Sequence, residues 1–110
     1  MLTRILVPLD GSALAERALT VAARLARTTD STLLVLQVYP EMIGETTPEL
    51  VAYSETTDAR AARAYLERVR QRPDLHGLAI EALALSGCAA CAILDAVEAF
   101  QADTIVMSSH

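Results

Sequence analysis

Residues able to do chemistry are few in this 110-residue chain and fall in three places. The first is Asp10-Gly11-Ser12, directly after the apolar run RILVPL. A carboxylate and a hydroxyl around a glycine at a strand-to-helix turn have two uses. Asp10 can accept hydrogen bonds from a polar ligand in an open crevice, or Asp10 or Ser12 can cap the helix that follows, the use that the pattern alone favours. The second is Cys88-Ala89-Ala90-Cys91, which follows Ser86-Gly87 and opens a helical stretch. A helix start stabilises thiolate, so a C-x-x-C there suits dithiol redox chemistry. The plainer account is two small, half-buried residues at a helix start, where cysteine behaves as a hydrophobe. The third is the C-terminal run Met107-Ser108-Ser109-His110. Neither His110 nor His76, in the connection from Pro73 to Gly77, has metal-ligand spacing to the cysteines, and a zinc site needs four ligands or three and a water. No G-x-S-x-G turn presents a nucleophilic serine, and His110 is given no catalytic role. The chain contains no lysine, which removes Schiff-base chemistry and the Walker A lysine together.

The elements that must position these residues alternate between two periods. Arg4 to Leu9 is a continuous apolar run ended by turn residues, the pattern of a strand buried on both faces. Ala13 to Thr28 has the helical period, with Leu14, Ala18, Val21, Ala22, Leu25 and Ala26 as its apolar stripe and Ser12 before it as N-cap. Thr32 to Val38 predicts a second strand, followed by an irregular stretch to about Ser54 of a length that is often functional or mobile. The helical period returns from Glu55 to Arg72, with Ala59, Ala62, Leu66 and Val69 on one face, and Pro73 stops it. Arg68, Arg70 and Arg72 at its end suit the helix dipole. Leu78 to Leu85 predicts a third strand and Ala89 to Gln101 a third helix with Ala90, Ile93, Leu94, Val97 and Phe100 on one face. Asp103 to Met107 predicts a fourth strand. The order βαβαβαβ implies an α/β fold, a parallel sheet with helices on both faces in three layers. In such sheets ligands bind outside the carboxyl ends of the strands, where the strand order reverses.

Composition narrows the partners. Nine arginines against fourteen acidic residues give a net charge of −5, which opposes binding to nucleic-acid phosphates and to anionic membrane surfaces. The longest apolar runs fall far short of the ~20 residues of a bilayer span, and the N-terminus lacks the pattern of a secretory signal. The expectation is a soluble, cytoplasmic chain forming one small domain over residues 1–110.

Ile5-Leu6-Val7-Pro8-Leu9-Asp10-Gly11-Ser12 and the Ala-rich helix after it resemble the start of the universal stress protein (UspA-like) family. Leu33 to Tyr39 is similar to the family's second strand, and Gly87 followed by Ile93 to its Gly-x-x-x-x-x-Ile segment. Ala102-Asp103-Thr104-Ile105-Val106-Met107-Ser108-Ser109-His110 resembles its Ala-Asp-Leu-Ile-Val-Met-Gly-Ser-His. The resemblance implies a Rossmann-like stress-response domain with strand order 3-2-1-4-5, an adenine nucleotide such as ATP or AMP as ligand, and a homodimer. It assigns the nucleoside to Pro8, Leu9, Asp10, Gly11 and Ser12, the adenine to Val38, and the ribose and phosphates to Met107, Ser108, Ser109 and His110. The family's G-x2-G-x9-G-[S/T] phosphate motif, its last helix and its fifth strand do not follow, leaving an expected order 3-2-1-4, and position 108 is Ser where the family has Gly. Slow ATP hydrolysis is implied by resemblance only. Two other readings stay open: an assembly module that binds no nucleotide, and a thiol redox protein using Cys88 and Cys91.

Overall fold

The computed structural model describes residues 4–39 and 57–107. Four strands form one parallel sheet in the order β3-β2-β1-β4, as expected. They are β1 (Arg4–Leu9), β2 (Thr32–Tyr39), β3 (Ala79–Ser86) and β4 (Thr104–Ile105). Register runs from Arg4↔Thr32 to Leu9↔Gln37 between β1 and β2, and from Thr32↔Ala79 to Tyr39↔Ser86 between β2 and β3. Among the described residues three α-helices connect them: α1 (Ala13–Thr29), α2 (Thr57–Arg70) and α3 (Ala89–Phe100).

Strand alternation divides the core between two faces. Ile5, Val7, Leu9, Leu33 and Val35 pack with Leu19, Ala22 and Ala26 of α1 and with Leu66 and Val69 of α2. Leu6, Leu34 and Leu36 point the other way, onto Ala96 and Phe100 of α3. This is why β1 and β2 read as unbroken apolar runs: every second side chain serves a different layer. The chain moves from β1 through β2 to β3 with helices on one face. It then returns over the opposite face to place β4 on the far side of β1. The direction reverses between β1 and β4, which makes that the switch point of the sheet.

Two helical stripes differ from expectation. The buried face of α1 is Ala15, Ala18, Leu19, Ala22, Ala23 and Ala26, whereas Leu14, Val21 and Leu25 are 36%, 55% and 37% exposed. In α3 the buried residues are Ala92, Ala96 and Phe100; Ile93 and Val97 are half-buried, and Ala90 and Leu94 are exposed. Both helices are apolar around more than half their circumference, so periodicity leaves their rotation undetermined. Side-chain size decides it. A face of alanines lets a helix lie close to the sheet and fill the space without voids, and a face of Leu and Val would hold it away.

Element ends also differ. The expected helix start at Glu55 and the loop before it lie outside the described residues. Arg72 is past the end of α2, extended at φ −63°, ψ 138°, because the residue before a proline avoids the helical region. Its guanidinium donates to both Asp74 carboxylate oxygens, at 3.0 and 2.9 Å, and to Thr20 Oγ1 at 3.2 Å, tying the Pro73–Leu75 turn to α1. No residue of β3 is fully buried, as suits a strand with a neighbour on one side among the described residues. β4 is shorter than expected, and Ile105 on it is 44% exposed.

Candidate functional site

The carboxyl ends of the strands open into a cavity of about 190 Å³, exposed to solvent on one side. Pro8, Leu9 and Asp10 bound it from the end of β1, Leu36 and Val38 from the end of β2. Ala15 of α1, Ala89 and Ile93 of α3, and Met107 beyond β4 complete the wall. Five of the residues singled out from sequence therefore meet here: Pro8, Leu9, Asp10, Val38 and Met107. Gly11 and Ser12 adjoin the cavity in the chain without lining it, and Ser108, Ser109 and His110 lie outside the described residues.

Local chemistry explains why the space is there. Arg4 and Leu6 turn their carbonyls toward β4, accepting from Asp103 and Val106 N–H at 3.0 Å each. Pro8 is the next residue of β1 directed to that side, and it has no N–H to donate. Pro8 therefore leaves the β1–β4 ladder one donor short at the switch point where the cavity lies. Beyond Leu9 the chain must turn at once into α1. Asp10 Oδ1 accepts the Ser12 N–H at 2.9 Å, and Ser12 Oγ accepts the Ala15 N–H at 3.1 Å. The cap is thus made by Ser12, and Asp10 closes the turn before it. Gly11 sits at φ +86°, where a side chain is strained although nothing stands within 4 Å of its would-be Cβ.

The wall is chiefly apolar. Asp10 is the ionisable group among the described lining residues, and its carboxylate is exposed. The first turns of α1 and α3 both reach the cavity, through Ala15 and Ala89, bringing the positive ends of two helix dipoles to it. Such a wall suits a flat, weakly polar ring system with an anionic group near the helix starts. The volume lies below the roughly 300–1,000 Å³ of pockets that enclose a drug-sized ligand, so a ring fits within it and a larger ligand must extend outward.

Four lining residues were not anticipated as site residues: Ala15, Leu36, Ala89 and Ile93. Two of them carried a usable signal. Leu36 shares the face of Val38 by strand alternation and pairs in register with Pro8. Ala89 begins the helix that follows Gly87.

The sequence profile of the universal stress protein family matches residues 1–110. The chain belongs to the universal stress protein family. Solved structures of the family superpose on it. Universal stress protein UspA from Lactobacillus plantarum is 27% identical with a TM-score of 0.72, the alignment covering 94% of this chain and 74% of that one. A family protein from Arabidopsis thaliana with AMP bound is 18% identical, TM-score 0.64, covering 97% and 76%. A universal stress protein in complex with cAMP is 20% identical, TM-score 0.68, covering 96% and 75%. The last two share the fold at identities too low to carry more. No match was found among curated proteins. Among the described residues no helix is long and apolar enough to cross a membrane.

Proposed function

We propose that this chain binds an adenine nucleotide, ATP or AMP, in the crevice between the ends of β1 and β2 and the start of α3, and acts as a nucleotide-dependent stress-response module. The observation that carries the reading is the convergence of Pro8, Leu9, Asp10, Val38 and Met107 on one apolar cavity at the switch point of the sheet. Relatives with this fold include one with AMP and one with cAMP. On this reading the base enters the cavity against Val38, Leu36 and Ile93. Asp10, exposed at the mouth, accepts hydrogen bonds from the ribose hydroxyls, and a carboxylate makes those bonds stronger than a neutral acceptor would. Gly11 and Ser12 hold Asp10 in place. The phosphates extend toward Met107, and the start of α1 supplies the favourable end of a helix dipole; the roles of Ser108, Ser109 and His110 rest on the family resemblance alone. A cytoplasmic site of action and a second copy of the chain as partner belong to the same reading, and both come from the family resemblance.

Titration calorimetry with ATP and with AMP, at protein concentrations on the order of 0.1 mM, tests it. One saturable site per chain is expected for at least one of the two. Absence of heat with both refutes the reading and favours an assembly module without nucleotide.

A further inference from the structure

The dithiol of Cys88 and Cys91 is used by nothing derived so far. Cys88 is the N-cap of α3, in extended backbone at φ −75°, ψ 128°, and its Sγ accepts the Cys91 N–H at 3.2 Å. The Cys91 thiol donates to the same sulfur at 2.7 Å. Both side chains are exposed and both thiols are free. The two cysteines are therefore exposed and not half-buried as the plain account has them, and both sulfurs are open to a reagent in solution. Among the described residues they join no cluster of three metal-ligating side chains, so the pair is a dithiol and not part of a described metal centre.

We propose that Cys88 and Cys91 form a reversible dithiol–disulfide site that exchanges with low-molecular-weight disulfides. The geometry needs little change. The sulfurs are already in contact, and a disulfide needs about 2.05 Å between them. The two thiols have different roles. The Cys91 thiol and backbone N–H both donate to Cys88 Sγ, and these bonds pull the Cys88 thiol below its ordinary range. The same hydrogen bond pushes the Cys91 thiol up, with Asp95 adding to the effect. Cys88 is accordingly the attacking sulfur. Its thiolate attacks one sulfur of the external disulfide, forming a mixed disulfide and releasing one thiolate. Cys91, deprotonated in the second step, attacks Cys88 Sγ, forms the internal disulfide and releases the second thiolate. The two protons lost by the cysteines are taken up by the two leaving thiolates. The protein is oxidised by two electrons and the external disulfide reduced by two. This chemistry requires no nucleotide, so it stands or falls separately from the crevice.

The test uses the full chain equilibrated in glutathione buffers from fully reduced to fully oxidised, quenched with acid, labelled with N-ethylmaleimide and weighed intact. The wild type is expected to pass from two labels to none as a monomer without bound glutathione, and to regain both labels with dithiothreitol. Cys91→Ser is expected to accumulate one glutathione on Cys88. Cys88→Ser, sampled before equilibrium, is expected to take up glutathione on Cys91 more slowly than Cys91→Ser takes it up on Cys88, and serine there preserves the helix cap. Two labels retained in fully oxidised buffer overturn the proposal. So does uptake of two glutathiones without an internal bridge. Faster glutathionylation of Cys88→Ser than of Cys91→Ser overturns the assignment of the attacking sulfur. Circular dichroism of each serine variant distinguishes these results from loss of fold.

Discussion

Tyr65 offers a test of the structure that depends on one oxygen atom. Its ring is half-buried on α2, and its hydroxyl is buried with no hydrogen-bond partner among the described residues. The Glu16 carboxylate acts on it by its charge and as a weak acceptor, short of a full hydrogen bond. Burial first, then Glu16, with a contribution from Asp10, pushes the phenol from 10.0 up to about 12, and Arg72 opposes them. Replacing Tyr65 by Phe removes a group whose desolvation is uncompensated. A buried, hydrogen-bonded hydroxyl contributes about 1 kcal/mol, whereas an unpaired one costs about 1–3 kcal/mol. Tyr65→Phe at neutral pH is therefore expected to leave stability unchanged or to raise it by about 1 kcal/mol, after the loss of packing around the missing oxygen. For a domain of this size that is a rise in midpoint of up to about 4 °C. The pH dependence has a defined sign. Below pH 10 the phenol is protonated in both states and contributes no slope. Between 10 and about 12 the unfolded chain releases its proton first, so stability falls as pH rises, and it levels off above the folded value. Tyr65→Phe removes that decline. The chain has no tryptophan, so urea unfolding followed by far-UV circular dichroism from pH 7 to 12 is the assay. A loss of more than about 1 kcal/mol at pH 7 would mean that the hydroxyl has a partner. An alkaline decline identical in the two proteins would remove Tyr65 as its source.

Three further outcomes follow from the same contacts. Ser12→Ala removes the Oγ that accepts the Ala15 N–H and is expected to cost about 1 kcal/mol in urea unfolding, while Ser12→Thr costs less; equal stability of all three proteins would contradict the cap. Leu36→Ala empties a fully buried position beneath both the cavity and α3, and a loss of about 2–5 kcal/mol by the same assay is expected. Ala89→Trp places an indole on an exposed, cavity-lining position. It should weaken nucleotide binding by at least about tenfold in titration calorimetry and leave the unfolding midpoint nearly unchanged, and undiminished binding would place the base elsewhere.

The sequence made the architecture legible because β1 and β2 are apolar on both faces and their partners are parallel. Runs of six and eight residues, bounded by Asp10-Gly11-Ser12 and by Asp30, leave few other arrangements, and the strand order followed from the family likeness. The ends of β1 and β2 were singled out through the family likeness, and Pro8, Leu9, Asp10 and Val38 do line the cavity. What could not be read was helix rotation. In α1, Leu14, Val21 and Leu25 have the period of a buried stripe, and so do Ala15, Leu19, Ala22 and Ala26 one position on. Hydrophobicity favours the first set and close approach to the sheet the second; close approach prevails because the helix must fit against β1 and β2 without a gap.

The same error concealed half of the crevice. If α3 buried Ala90 and Leu94, its first turn would face the sheet and close the space above Leu36 and Val38. With Ala92 and Ala96 inward beside Phe100, which is buried as expected, Ala89 and Ile93 border the opening and Cys88 and Cys91 stand in solvent. One rotation of one helix thus fixes both the wall of the proposed nucleotide site and the accessibility of the dithiol. The two activities nevertheless answer to different atoms. Filling the cavity at Ala89 leaves both sulfurs in place, and Cys91→Ser leaves every lining residue in place. Ala89→Trp should therefore weaken nucleotide binding as stated while still passing from two maleimide labels to none. Cys91→Ser should bind nucleotide as the wild type does while failing to close the disulfide. Loss of both properties in either variant would show instead that the first turn of α3 had been displaced as a unit.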